Sequence, residues 1–160
     1  MNKAVLLLGS NLGDGQLLFQ QVISLIDERL GKLEKKSALY QSPPWGFEHE
    51  NDFINQVLIM NTEKNAEEVL QSCLQIEVDL GRKRIAHGYG ARTIDIDVLF
   101  VNDEVMKTES LVLPHPRLHL RKFTLLPLVD LIPDFVHPTL QMSIQELLVA
   151  CEDNSEVRKI

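Results

Sequence analysis

Two aspartates one residue apart, Asp95 and Asp97, lie in the run 93–101, where Ile94, Ile96, Val98 and Phe100 alternate with Asp95, Asp97 and Leu99. A period of two is the pattern of a strand, so both carboxylates project from one face with Cα atoms about 6.5 to 7 Å apart. Paired hard-oxygen ligands suit Mg2+, which takes one or two carboxylates and completes its shell with water and substrate phosphates. A bare Asp-x-Asp is also what a solvated strand face presents, so the neighbourhood has to separate the two readings. Arg92 stands three residues before Asp95, and Arg82 and Arg84 open the same stretch, with Lys83 and His87 among them. Metal ligands and guanidinium groups at one end of a strand are the equipment of phosphoryl transfer: the metal neutralises bridging oxygens and arginine grips phosphate through paired hydrogen bonds. For Lys83 alone, a solvated cation at a helix C-terminus is the simpler account, because the helix dipole favours it there.

The 160 residues carry a net charge of −7, which argues against nucleic acid or an anionic membrane as the main partner. A local cation cluster on an acidic chain points instead to a small polyanion. The rival nucleotide motifs are absent: there is no G-x-x-x-x-G-K-[ST], and Gly9-Ser10-Asn11-Leu12-Gly13 is not a G-x-G-x-x-G fingerprint. Side chains and metal are therefore expected to hold the phosphates. The length suits one domain over residues 1–160. The apolar run 4–8 is too short for a signal-peptide core or a membrane span, so a cytoplasmic protein is expected. In that setting Cys73 and Cys151 are expected to be buried, reduced thiols.

Periodicity shows the elements that must position these groups. Residues 3–9 read as a strand leaving for a turn at Ser10 to Asp14. Leu17, Leu18, Val22, Leu25, Ile26 and Leu30 then recur at helical spacing, with Gly31 where a helix C-cap would stand. Residues 33–41 alternate weakly as a second strand before Pro43 and Pro44 stop it. The run 53–62 puts Phe53, Asn55, Val57 and Ile59 on one face and Ile54, Leu58 and Met60 on the other, a central strand. Asn65 and Glu68 are spaced as a capping box for a helix continuing to Gly81. After the Asp-x-Asp strand come a turn at Asn102-Asp103, His115 between two prolines, a helix over 122–131, and a last helix capped by Ser143 and Glu146 that ends near Cys151. The order βαββαβ, with strands two and three joined by a loop, favours an α+β fold of ferredoxin-like type, its sheet mainly antiparallel, with a C-terminal helical extension.

Four spaced segments carry a specific likeness. Gly90-Ala91-Arg92-Thr93-Ile94-Asp95-Ile96-Asp97-Val98-Leu99 is one, and Gly9-Ser10-Asn11-Leu12-Gly13-Asp14 is another. Ser42-Pro43-Pro44-Trp45-Gly46 with Phe53-Ile54-Asn55, and Leu113-Pro114-His115-Pro116 with Phe123, follow in register. Together, over at least residues 4–136, they resemble the hydroxymethyldihydropterin pyrophosphokinases.

That resemblance implies a ferredoxin-like, three-layer α/β/α domain. It implies transfer of the β,γ-pyrophosphoryl group of ATP to the hydroxymethyl oxygen of 6-hydroxymethyl-7,8-dihydropterin, with release of AMP, in folate biosynthesis. By the same resemblance Asp95 and Asp97 hold two Mg2+ ions, and Arg82, Arg92 and Asp97 form the catalytic set. Arg84, Val98, His115 and Arg121 join Arg82 and Arg92 around ATP. Phe53 and Phe123 sandwich the pterin, while Asn55 and the segment of Ser42, Pro43 and Trp45 read its hydrogen-bonding edge. ATP and the pterin are then the partners of a monomer that binds neither nucleic acid nor membrane. Gly88 and Tyr89 depart from the family, which usually has a basic residue and often a tryptophan at these positions.

On the residues alone, a core position is the commoner fate of Phe53 and Phe123 as aromatics in a strand or helix, and His115 is equally a plain loop residue. Asn55 is less easily absorbed, because an amide on an apolar strand face requires hydrogen-bond partners if buried. Two other readings of the whole chain stand beside the pyrophosphokinase: a ferredoxin-like regulatory module that binds a small ligand without transfer, and another Mg2+-dependent nucleotidyl or glycosyl transferase.

Overall fold

A computed structural model describes residues 1–11, 14–43, 52–85 and 94–160, with residues 82–85 described by backbone alone. Strand β1 (Asn2–Ser10) leads into helix α1 (Gly15–Arg29), then β2 (Lys32–Lys36), β3 (Tyr40–Ser42), β4 (Phe53–Thr62), α2 (Ala66–Ile85) and β5 (Asp95–Val101). A small hairpin of β6 (Met106–Lys107) and β7 (Val112–Leu113) follows, with a 3-10 turn at Leu118–Leu120. Helices α3 (Lys122–Leu131) and α4 (Ile144–Ala150) and a terminal strand β8 (Arg158–Lys159) complete it. The main sheet runs β5-β1-β4-β3-β8, with β2 also on β4, and its pairings are antiparallel.

The central strands are apolar on both faces because both faces are covered. Ala4, Leu6, Leu8, Leu58 and Met60 meet Phe19, Val22 and Ile26 of α1 and Val69, Cys73 and Ile76 of α2. Val5, Leu7, Val57 and Ile59 meet Leu125 and Leu128 of α3 and Ile144 and Leu147 of α4. Each Val, Leu, Ile, Phe or Met side chain so buried contributes about 1.5–3 kcal/mol, which makes the sheet a stiff platform for whatever projects from its uncovered end. Both expected capping boxes form. Asn65 and Glu68 exchange hydrogen bonds of 3.0 and 2.9 Å ahead of α2, and Ser143 and Glu146 do so ahead of α4. Among the described residues no helix is long and apolar enough to cross a membrane. Cys73 and Cys151 are both free, and Cys73 is fully buried while Cys151 is half-buried.

Four readings from periodicity are corrected. The weak strand at 33–41 is two strands, because Ser37 breaks it: its Oγ accepts the Val57 N–H at 2.9 Å, and its carbonyl accepts the Gln56 side chain at 2.8 Å. A hydroxyl thus takes a ladder position that backbone would otherwise fill. Helix α2 continues through Gly81 to Ile85; a Cβ there would touch nothing, and the cost of about 1 kcal/mol for one helical glycine does not end a helix this long. A register shift in β5 opposite Val5 and Leu6 turns Phe100 onto the face of Asp95 and Asp97, where it meets Phe135 edge-on at 4.8 Å.

Gly31, the fourth, is not held in the left-handed conformation of a glycine cap; it is a contact glycine, since a Cβ there would overlap the Asn61 carbonyl oxygen of β4. Gly31→Ala is expected to destabilise the protein by about 2–3 kcal/mol, the upper part of the usual overpacking cost, because the obstacle is backbone. Urea unfolding should show a lower midpoint at unchanged slope. An unchanged midpoint would mean that the turn after α1 relaxes freely.

Candidate functional site

Strand register assembles the site. Asp95 opposes Gly9, Gly9 opposes Asn55, and Asn55 opposes Tyr40, giving one row across β5, β1, β4 and β3. Asp97 opposes Leu7, and Leu7 opposes Val57, giving the next. Directly opposed residues share a face, so the two carboxylates and the Asn55 amide emerge together on the face covered further along by α3 and α4.

A cleft of about 400 Å³ opens at this end of the sheet. Its floor carries Leu7, Gly9, Phe53 and Asn55, with Ser42 on the β3 side and Asp95 and Asp97 on the β5 side. Leu120 approaches from the 3-10 turn, Arg121 and Phe123 from the start of α3, and Asp153 from the C-terminal segment. The cleft thereby gathers the expected metal pair with the expected substrate residues Ser42, Phe53, Asn55 and Phe123, and with Arg121.

Asn55 is 5% exposed, and its Nδ2 donates to the Leu8 carbonyl at 3.2 Å. That geometry needs Gly9, because a Cβ at this position would stand 2.9 Å from the same Nδ2. The Arg121 guanidinium lies 5.6 Å from the centre of the Phe123 ring, within cation–π range. His115 donates its backbone N–H to the Leu99 carbonyl at 3.0 Å, while its ring Nδ1 accepts the Arg117 N–H at 3.1 Å. A neutral ring bonded this way carries its proton on Nε2. Burial lowers the His115 pKa; the Asp97 carboxylate opposes that shift, and the charges of Arg121 and Arg117 add to it.

The carboxylate pair fits Mg2+ by its donor chemistry. Two oxygen ligands on one face of a strand, at an open cleft, leave most of an octahedral shell to water and phosphate oxygens. Among the described residues no group of three or more His, Cys, Asp or Glu side chains builds a closed cage of the kind a structural zinc takes. Glu77 of α2 steadies the pair from outside the cleft, its Oε2 accepting the Ile96 N–H between the two aspartates at 2.7 Å.

Val98 was expected among the residues around ATP. It is buried on the opposite face, among the residues packed on α1 and α2, so only its backbone is available to a nucleotide. Pro43, exposed, directly follows Ser42. Trp45 and Arg92, with His87, Gly88 and Tyr89, lie outside the described residues, as do the side chains of Arg82 and Arg84. Leu120 and Asp153 were not anticipated. Asp153 caps Lys122 from 31 residues away, a spacing no local capping pattern can reveal.

A family model described as 7,8-dihydro-6-hydroxymethylpterin-pyrophosphokinase (HPPK) matches residues 5–133. The 2-amino-4-hydroxy-6-hydroxymethyldihydropteridine pyrophosphokinase of Aquifex aeolicus is 38% identical over 139 residues, covering 87% of this chain and 86% of that protein. The Bacillus subtilis protein of the same name is 37% identical over 131 residues, covering 81% and 78%. Among solved structures, an HPPK-DHPS in complex with substrates superposes with a TM-score of 0.76 at 16% identity, over 93% of this chain and 43% of that one. The Plasmodium falciparum HPPK-DHPS with SDX-DHP gives 0.75 at 20% identity, over 94% and 43%. This chain therefore spans less than half of those longer chains, and at such identities the likeness is one of fold. The family match takes in the strands β3, β4 and β5, most of β1, and the α3 turn that together build the cleft, and on that extent the chain belongs to the 7,8-dihydro-6-hydroxymethylpterin-pyrophosphokinase family.

Proposed function

We propose that the chain transfers the β,γ-pyrophosphoryl group of ATP to the hydroxymethyl oxygen of 6-hydroxymethyl-7,8-dihydropterin, giving AMP and the pterin diphosphate in folate biosynthesis. The supporting observation is that one cleft joins a carboxylate pair to a buried amide and two aromatic side chains: a phosphate end and a heterocycle end within reach of each other. The hydroxymethyl oxygen bonds to the β-phosphorus, the bond from that phosphorus to the α,β-bridging oxygen breaks, and the bridging oxygen leaves with AMP. The hydroxyl proton is released. Asp95 and Asp97 would hold two Mg2+ ions, which when bound supply charge neutralisation at the phosphate oxygens.

The protein's own part is positioning and electrostatics. Phe53 and Phe123 stack on the heterocycle and Asn55 hydrogen-bonds its amide-like edge, beside Ser42, Pro43 and Trp45. Arg82, Arg84, Arg92 and Arg121 contact phosphate oxygens, and His115 presents its Nε2 proton to another. A metal-held carboxylate is a poor base, so Asp97 acts through the metal site and not as the proton acceptor. The strand order β5-β1-β4-β3, with α1 and α2 on one face and α3 and α4 on the other, supports a ferredoxin-like three-layer domain. On this reading it works as a cytoplasmic monomer, its net charge of −7 keeping it from nucleic acid and anionic membranes.

The deciding assay is AMP formation from ATP with and without the hydroxymethylpterin: AMP appears only with both. AMP formed without the pterin would make the protein an ATP hydrolase, and none in either case would leave a binding module. Gly9→Ala tests the heterocycle end. Pushing the Asn55 amide off its seat is expected to weaken pterin binding by about 1–3 kcal/mol, the cost of an unsatisfied buried polar group, with ATP-analogue binding unchanged. Calorimetric titration of both ligands checks it; an unchanged pterin affinity would remove Asn55 from the site.

A further inference from the structure

The C-terminal segment after α4 lies beyond the stretch 5–133 on which family membership rests, yet it supplies one wall of the cleft. Its attachment is specific. Asp153 Oδ2 accepts the Lys122 N–H at 2.9 Å, and Oδ1 accepts both the N–H and the hydroxyl of Ser155. Arg121, at the N-cap of α3, makes no side-chain cap of its own. The first amide of that helix is one of its orphan donors and is satisfied by this distant carboxylate.

The two residues flanking that amide, Arg121 and Phe123, both line the cleft. Further on, β8 pairs with β3, Tyr40 opposing Lys159 and Gln41 opposing Arg158. Lys159 Nζ stands 3.7 Å from Asp130 Oδ1 near the other end of α3, and Asp130 Oδ2 accepts the Tyr40 hydroxyl at 2.8 Å. The segment therefore ties both ends of α3, and links that helix to the strand bearing Ser42.

We propose that Asp153 is a positioning residue for the heterocycle end of the cleft: by holding the first turn of α3 it sets where Phe123 and Arg121 stand, and its carboxylate bounds the space the substrate ring occupies. Burial acts to raise the Asp153 pKa, but the hydrogen bonds from the Ser155 side chain and from the Lys122 and Ser155 backbones prevail, so the group stays anionic. An anion at a helix N-terminus is favoured in turn by the helix dipole. The inference rests on the reading of this cleft as the pterin site.

Steady-state kinetics of Asp153→Ala, Asp153→Asn, Ser155→Ala and Phe123→Ala, each with a thermal melt, test it. Asp153→Ala is expected to raise the pterin KM about tenfold, the scale of a lost helix cap, with the ATP KM within about twofold of wild type. Asp153→Asn should recover most of this loss, because its carbonyl oxygen still accepts the Lys122 N–H. Ser155→Ala, which removes the hydroxyl bond to Oδ1 but keeps the backbone N–H bond and does not open α3, should show the same pterin selectivity at about two- to threefold. A lowered melting temperature with pterin and ATP constants unchanged in both the Asp153→Ala and Ser155→Ala variants would reduce Asp153 to a stability cap and overturn the proposal. Equal losses for both substrates would also overturn it. If Phe123→Ala alone weakens pterin binding, the cleft reading stands and only the role of Asp153 falls. If neither Phe123→Ala nor Asp153→Ala does, the cleft reading falls with it.

Discussion

Asp95→Ala and Asp97→Ala are each expected to lower kcat/KM by about 10³-fold or more, the several kcal/mol that a catalytic metal supplies, and to leave the melting temperature without nucleotide near wild type. The expectation of so large an effect with so little structural damage comes from where the two side chains stand. Both are partly exposed on the cleft face of β5, opposite Gly9 and Leu7, while the core contacts of that strand are made by Ile96, Val98 and Val101 on the far side and, past the register shift, by Leu99 and Phe100. Removing a carboxylate therefore opens no cavity in the core. Titration of Mg2+ against activity, together with calorimetry of an ATP analogue at saturating Mg2+, checks the assignment. A variant that keeps a tenth of wild-type turnover under those conditions would place the metal elsewhere.

Arg92→Ala should lower kcat/KM by about 10²- to 10³-fold, the usual cost of one preorganised electrostatic donor, whereas Lys83→Ala should lower it only a few-fold. The two cations belong to the same basic stretch, but Arg92 is three residues from Asp95, where β5 begins. A guanidinium at that distance along the chain can hold a phosphate beside the carboxylate pair, and its planar fork keeps two hydrogen bonds aligned as charge shifts. A solvated lysine offers general attraction to an anionic nucleotide, which salt screens. Kinetics of both variants at low and high ionic strength separate the cases. Similar modest losses, both erased by salt, would make the stretch a charged surface and nothing more.

The site was legible wherever a residue's face follows from strand parity. Phe53, Asn55 and Val57 share a face as the alternation of 53–62 indicates, and so do Asp95 and Asp97. What parity cannot supply is the partner strand: the opposition of Gly9 to both Asp95 and Asn55 is a matter of register between segments distant in sequence. Parity also fails at an inserted residue, as Phe100 shows. Local capping at Asn65 and Ser143 could be read because donor and acceptor lie three residues apart, while the cap on Lys122 could not. Ser37 was silent for a related reason, its hydroxyl replacing backbone in the ladder at a position where sequence alone shows only a small polar residue. The pairing of β8 carries no periodic signal at all, being two exposed basic residues whose place is set by Tyr40 and Asp130.

Buried Cys73 has a consequence for how the molecule can be watched. Burial first, and then the carboxylates of Glu77 and Asp97, push its thiol up to about 12, so at neutral pH the reactive thiolate is a vanishing fraction and alkylating reagents have no path to it. Half-buried Cys151 is expected to react in the folded protein. Cys73 sits on α2 one turn before Glu77, the residue that grips the Ile96 amide between the two aspartates. Modification of Cys73 should therefore form a slow phase that counts the occasions on which α2 leaves the sheet and the aspartates lose their support. A bound ligand that needs the closed arrangement retards that phase in proportion to its occupancy, giving a clock for ligation that requires no turnover.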